Sequence, residues 1–533
     1  MRVGFFIGYG PQVTFGAQGL GRYLGGLIKG FIKEGIPVTI ASPVWSKKSL
    51  ESLFIELDIP LESVSFVYNA NREPFIWRVY KWLVLKERKR RDGLIAIVSK
   101  LLGKVIIEFT RSSTTSFGKY LPVYIIAFVL FVLLFIPALI ILALYYIATR
   151  ILKVARKKTS HLKKGSIKED EDRGYLEVFH VMTDVVVEQL VRVVNSKDCC
   201  DIWYVPSSFW PRANDLKKPV VINVPDVVSM IYPAEFADVV GMKNSTREVK
   251  KTIEGGRFFI TYSEYIRRSV VINDFGKDPE NVLAIPHVNN TSSPFIATNN
   301  DRATELNSQR EYDVELSHKL LRKMKCMSSP PYYTKGMDFD GVHYIFYASQ
   351  IRPHKNIISL LKAYEFLLRE RNIDQKLFLT GKIDPKEYNS VTAYVFEHGL
   401  EHDVLSFPDV PAATLAALYR CADLVVNPSL YEGGFPFTFG EGMSVGTPSL
   451  MARARFDEET LIGAGLEEIT FDPYDWKDLA KKIEYWLPRR EELYHKELAF
   501  YKEMEKRTPD VVAREYIKAF EMFIDRYNKS VIL

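Results

Sequence analysis

The sequence predicts an α/β protein of two Rossmann-like domains, the first carrying a hydrophobic, basic-flanked membrane insertion. Three observations lead there. Short, continuously apolar segments alternate with helix-periodic ones, the pattern of parallel sheets covered on both faces. The alternation pauses over a polar stretch at about 289–338 and then restarts with the same rhythm. An uncharged run from Tyr120 to Thr149 interrupts the first half.

The first unit opens with the strand-like RVGFFIGY, a glycine-bearing loop, the periodic LGRYLGGLIKGFIKEG and a second strand, IPVTIAS. Further strand-like pieces follow at DIWYVPS, PVVINVP, RFFITYS and NVLAIPH. The second unit begins at HYIFYAS and runs through the helix NIISLLKAYEFLLRER, the strand QKLFLTG, VLSFPDV, the helix TLAALYRCA, the strand DLVVNPS and a helix from about Phe437. The expected division is a first domain over 1–290, a linker over 291–338 and a second domain over 339–510. A C-terminal helix, 511–533, is expected to pack back on the first domain. Open sheets of this kind bind ligands beyond the carboxyl ends of their strands, so motifs there count most.

Composition narrows the class. A chain of 533 residues, 47% hydrophobic and 26% charged, is neither disordered nor collagen-like. Its four cysteines, the adjacent Cys199 and Cys200 with Cys326 and Cys421, form no disulfide scaffold and no zinc-type spacing. A reduced, cytosol-facing location is expected. The formal charge of +6 hides a segregation. Between Lys81 and Lys168 stand 18 Lys/Arg and three acids (Glu87, Asp92, Glu108), a net of +15, which leaves −9 for the remainder.

The Tyr120–Thr149 run lies inside this basic segment and is long enough to be a membrane element. Both flanks are basic, and basic flanks prefer the cytoplasmic side. Pro137 divides the run into halves too short to cross, so a re-entrant hairpin over 119–149 is favoured. A single crossing would separate the two basic flanks. A pair of spans, 93–109 and 121–148, would have to bury Lys100 and Lys104. The expected location is the cytoplasmic face of the cell membrane, against anionic headgroups. No nucleic-acid partner is expected, because a hydrophobic stretch and not stacking aromatics lies between the basic runs.

Three strand-end motifs carry chemistry. After the first strand, Gly16, Gly19 and Gly21 lead into a helix, where backbone amides can approach an anion. After the first strand of the second unit, YASQIRPHKN places Arg352 and Lys355 three apart, suited to gripping a diphosphate. The third motif, NPSLYEGGFPFTFGEGMSVGTPSLMA, runs from a strand end at Asn427 through Gly433, Gly434 and Pro436 into a helix with Glu441. Amides at that helix start can bind phosphate, and Glu432 and Glu441 can accept hydrogen bonds from hydroxyls. Two D-x-D matches, Asp170–Asp172 and Asp338–Asp340, lie in polar connectors, and no metal or other cofactor is expected. His287, His343, His354 and His398 read as loop histidines with structural hydrogen bonds.

These elements, in this order, resemble glycosyltransferase family four, retaining enzymes of the GT-B fold. The resemblance implies a nucleotide-sugar held mainly by the second domain and an acceptor approaching from the first. Arg352 and Lys355 match the pair that neutralises the donor diphosphate. Glu432 matches the acid at the donor sugar, and Glu441 the one at the ribose. Gly434, Phe435, Pro436 and Phe437 fall where backbone amides meet sugar and phosphate, and Gly19 and Gly21 match the first-domain loop near the phosphates. Ser263 sits at a family-like strand end, as a structural position. There are two departures: eight residues separate Glu432 from Glu441 where the family has seven, and Pro225-Asp226 stands where a His-Asp pair is common. Asp226 is therefore a possible acceptor-side contact.

The expected function is retaining transfer of a hexose, with mannose from GDP-mannose favoured, to a lipid-linked or membrane-proximal glycan. The motif from Ser429 to Pro448 looks most like bacterial mannosyl- and hexosyltransferases of polysaccharide assembly. Two alternatives stay open: a glycolipid-forming transferase using a UDP-sugar, and a catalytically silent membrane scaffold of the same fold.

Overall fold

A computed structural model describes residues 1–78 (except 12, 14, 16–18 and 76), 169–233, 242–292, 307–328, 337–383 (except 338 and 340), 389–454 and 458–532. The basic segment 81–168, with the expected hairpin over 119–149, and Asp338 and Asp340 lie outside the described residues, whereas Asp170 and Asp172, expected in a connector, lie at the start of the helix Glu169–Asn195. Among the described residues no helix is long and apolar enough to cross a membrane.

Two parallel sheets organise the chain. The first has seven strands in the order β3-β2-β1-β4-β5-β6-β7: β1 Val3–Phe6, β2 Val38–Ser42, β3 Val64–Tyr68, β4 Ile202–Val205, β5 Val220–Val224, β6 Phe258–Thr261 and β7 Val282–Ala284. Val3 of β1 pairs with Val38 of β2 on one side and Ile202 of β4 on the other. The second sheet has six, ordered β10-β9-β8-β11-β12-β13: β8 Tyr344–Tyr347, β9 Lys376–Leu379, β10 Val404–Ser406, β11 Leu424–Asn427, β12 Ser449–Ala452 and β13 Thr470–Phe471. The central strands are buried along their whole length, as their unbroken apolar runs require when helices cover both faces. Edge strand β3 is only partly buried, at Val64 and Val67, and its VSFVY is the strand of this sheet that the apolar-run criterion passes over.

Each sheet reverses direction about its first strand, between β1 and β4 and between β8 and β11. Residues 79–168, outside the described residues, lie in sequence between β3 at one edge of the sheet and β4 beside β1.

The first domain's helices are α1 Gly19–Lys33, α2 Lys47–Glu56, α3 Glu169–Asn195 and α4 Met242–Gly255. A further helix, α5 Asn307–Leu321, lies within the stretch expected to be linker, and its Leu321 packs with Phe378, Leu405 and Tyr419 in the second core. The polar composition of 289–338 hid it. The second domain contributes α6 Ile357–Glu370, α7 Ser390–Glu397, α8 Ala412–Cys421, α9 Phe437–Ser444, α10 Trp476–Trp486 and α11 Arg490–Glu505. Last comes α12, Pro509–Ile532. Its buried residues Val512, Ala513, Tyr516, Ala519, Phe520 and Phe523 recur at helical spacing and join the first-domain core. Phe520 stacks on Phe31 of α1 at 5.9 Å, and the Tyr516 and Tyr23 hydroxyls are 2.6 Å apart. At roughly 1.5–3 kcal/mol per buried large side chain, this face ties the chain's end to its beginning.

Candidate active site

The carboxyl ends of the two sheets face each other, and the third sequence motif fills the junction. β11 ends at Asn427, whose side-chain oxygen accepts from the Ser429 amide at 3.1 Å and turns the chain into the loop before α9. That loop is pressed onto the first domain. The Tyr431 hydroxyl accepts from the Val227 amide at 3.2 Å, Tyr232 donates to the Leu430 carbonyl at 3.3 Å, and Ser263 donates to the Gly433 carbonyl at 3.1 Å. A side chain at Gly433 would run into the Pro225 carbonyl oxygen and the Asp226 Cβ, so only glycine permits this approach. Gly434 lies against Tyr262 and His287, and Pro436 caps α9, whose first residue is Phe437.

His287 joins the domains directly. Its Nδ1 lies 2.9 Å from the Val288 carbonyl and its Nε2 2.8 Å from the Phe435 carbonyl, with its ring 4.3 Å from that of Phe437. Burial pushes its pKa below the ordinary value. A neutral imidazole has one N–H, so at neutral pH one of the two carbonyls receives the hydrogen bond.

The charged centre is Lys355. β8 ends at Tyr347, and the loop closes in a turn, Pro353–Lys355, before Asn356 takes a left-handed conformation (φ 52°) and starts α6. Lys355 forms an ion pair with Glu432 from the facing loop. Burial opposes the lysine's charge, but Glu432 and Tyr347 hold its pKa above the ordinary value. The ammonium has three donors, and Glu432 Oε1 takes one. Arg352 is exposed, with one 3.4 Å contact to Gln350. Asp226, across the junction, accepts from the Val228 amide at 3.3 Å. Burial raises its pKa, as does the charge of Glu432, while that amide and Lys355 oppose the rise.

Glu441 is buried in α9. Its carboxylate accepts from the Tyr419 hydroxyl at 2.7 Å and from Asn290 of the first domain. Gly19 opens α1, and Gly21 packs beneath the Phe15 carbonyl, which a side chain would strike. The structure thus brings Lys355, Glu432, Asp226, Gly433 and Gly434 together. Arg352 sits on the same turn as Lys355, and Glu441 lies one layer deeper.

Sequence reasoning missed the bridging set. Asn290 read as part of the polar stretch that closes the first domain and His287 as a local loop residue, yet both cross to the second domain. The signal was their place beyond the carboxyl end of β7. His343 pairs with Asp423 and His398 with Glu365, both within the second domain.

Comparison with known proteins agrees with this layout. Residues 337–500 match the family described as "Glycosyl transferases group 1". An uncharacterized glycosyltransferase of Methanocaldococcus jannaschii is 32% identical over 113 residues, which are 21% of this chain and 28% of that protein. The O-antigen chain mannosyltransferase B of Escherichia coli is 33% identical over 134 residues, 25% of this chain and 33% of that one. The chain thus spans about a third or less of these curated relatives. The Anabaena protein Alr3699/HepE, solved with UDP and glucose, superposes with a TM-score of 0.54 at 13% identity, covering 98% of this chain and 99% of that chain. Residues 337–500, most of the second domain, thus resemble a group 1 glycosyltransferase domain, and the two-domain fold is like that of the Anabaena protein.

Proposed function

We propose that the chain is a retaining hexosyltransferase that moves a sugar from a nucleotide-sugar to a glycan acceptor at a membrane surface. The observation that carries this reading is the Lys355–Glu432 pair, presented beside exposed Arg352 and opposite half-buried Asp226 where both sheets end. In such a retaining transfer the acceptor hydroxyl attacks from the face that the diphosphate leaves, and the departing diphosphate oxygen takes up its proton. No protein nucleophile is required. The remaining donors of Lys355, with the Arg352 guanidinium, would stabilise charge developing on the leaving diphosphate. Glu432 would orient the sugar hydroxyls, and Glu441, held by Tyr419 and Asn290, would position the nucleoside end. The amides from Gly434 to Phe437 would meet sugar and phosphate, with Gly19 and Gly21, which lie in the first turn of α1 and not in the preceding loop, near the phosphates.

GDP-mannose is the favoured donor, in keeping with the E. coli mannosyltransferase among the relatives. The UDP and glucose bound by the Anabaena protein support a UDP-hexose as the alternative. The basic, uncharged-centred segment 81–168 supports attachment to the anionic cytoplasmic face through 119–149, and so a lipid-linked glycan or glycolipid acceptor. The test is a panel of UDP- and GDP-hexoses given to the full-length protein with membrane lipid extract. The account expects nucleotide release from one donor and a product whose anomeric configuration matches it. An inverted product, or no release from any donor, would overturn it.

A further inference from the structure

We infer that the pocket beyond β1 and β4 in the first domain receives an uncharged sugar of the acceptor and disfavours sugar phosphates. The inference rests on the transferase reading above and adds the charge class of the acceptor. The pocket is a cavity of about 400 Å³ in the loops after β1 and β4, closed on its other sides by α3 and α4. Its floor is aromatic. Tyr9 and Trp210 meet edge to face at 4.9 Å, and Phe209 beside them keeps 36% of its exposure. Aromatic faces of this kind stack against the apolar face of a sugar ring. The Trp45 indole fixes Tyr9 from behind by donating to its carbonyl at 2.9 Å.

The rim is polar without a surplus of positive charge. Arg212 donates to both carboxylate oxygens of Asp184, at 3.0 Å each, with Glu188 at 3.5 Å and Asp215 at 3.8 Å. Its guanidinium is therefore surrounded by carboxylates. An adjoining cavity of about 450 Å³ shares Asp184, Arg212 and Glu248 and adds Asp215, Arg247 and Lys251. With Glu188 beside Arg212, four acids thus face three bases, so no surplus of positive charge remains even when Glu248 is half protonated. A phosphate ester would meet the carboxylates with no net cationic field, whereas sugar hydroxyls find acceptors in Asp184 and Glu248 and a hydroxyl in Thr183. Burial and Asp184 push the Glu248 carboxyl up to about 7 against the pull of Lys251, so at neutral pH it serves both as donor and as acceptor.

Tyr9 of the pocket floor stands within electrostatic reach of the reacting centre. The Tyr9 hydroxyl is close enough to Asp226 for that carboxylate to raise its pKa together with burial, and Asp226 abuts Gly433 beside the Lys355–Glu432 pair. A saccharide seated on Phe209 would extend toward that pair.

The test is calorimetric titration of the full-length protein with methyl α-hexosides, mannobiose and mannose 6-phosphate, repeated on Phe209→Ala and Glu248→Gln. Binding of a neutral saccharide, weakened about tenfold in each variant, with the phosphate ester no tighter than its parent, supports the proposal. It is overturned if no neutral saccharide binds, if mannose 6-phosphate binds about tenfold tighter, or if both variants stay within about twofold of wild type. Acceptor KM gives a separate reading. Transfer with an acceptor KM unmoved by Phe209→Ala sinks the pocket and leaves the transferase. Saccharide binding that responds to both variants, with no nucleotide-sugar turned over, sustains the pocket and sinks the transferase.

Discussion

Replacing Lys355 by alanine separates the two roles its position gives it. Lys355 and Glu432 each retain 20% side-chain exposure, and Asp226 is a second half-buried acid nearby. Removing the ammonium leaves two carboxyls facing each other across the junction. Breaking a buried pair costs about 3–5 kcal/mol, and the residual exposure places this one near 3. Loss of a preorganised donor at a developing anion costs about 2.7–4 kcal/mol, or 100–1,000-fold in rate. The two costs part company in the double variant Lys355→Ala/Glu432→Gln. Removing the second charge should restore most of the stability and none of the transfer. Urea denaturation reads the first and single-turnover nucleotide release the second. The stability deficit should be level between pH 7 and 9. A raised lysine pKa stabilises fully below the unfolded value of 10.5, and that stability is lost only as pH rises through the folded one. Lys355→Ala retaining more than about a tenth of wild-type turnover, or Glu432→Gln rescuing transfer along with stability, would refute this assignment.

Three further outcomes follow from the junction and the insertion. Gly433→Ala should push the loop off Pro225 and Asp226, cutting transfer by about tenfold or more while the protein stays folded by circular dichroism; unchanged turnover would contradict the close approach. The folded pKa of His287 lies below its ordinary 6.5, so the unfolded chain binds the proton first and stability is lost as pH falls through 6.5 toward the folded value. Stability measured from pH 7.5 to 5 should therefore decline less steeply in His287→Gln, and equal slopes would assign the decline to other groups. Deleting 119–149 should release folded protein from membranes in a flotation assay; a deletion protein that still floats would place the anchor elsewhere.

Much of this architecture was legible because burial on two faces leaves an unbroken apolar run. β1, β4, β5 and β6 and their counterparts β8 and β11 all announce themselves that way. Edge strand β3 did not, since half of its residues face outward, and two-residue β13 is too short to carry a pattern. Strand order was not legible either, because a run of apolar residues names no neighbour. Within the site, Arg352, Lys355 and Glu432 could be picked out as charges in strand-end loops, and Glu441 as a charge in the helix that follows one. Their partners could not. Asn290 approaches Glu441, and His287 approaches Phe435, across some 150 residues of sequence. Ser263 read as structural, and its hydroxyl in fact carries one of the cross-domain contacts, to Gly433. Such contacts depend on the packing of one sheet end against another, for which local sequence has no signal.

The central claim is that Lys355 and Arg352, at the junction of the two domains, drive sugar transfer from a nucleotide onto a membrane glycan. Its most direct test supplies labelled GDP-mannose or a UDP-hexose to full-length protein and membrane lipid extract, and counts label in the organic phase. The account predicts label in that phase with wild type, reduced at least about 100-fold in Lys355→Ala and in Arg352→Ala. Label that appears equally with both variants, or with none of the three proteins, would contradict it.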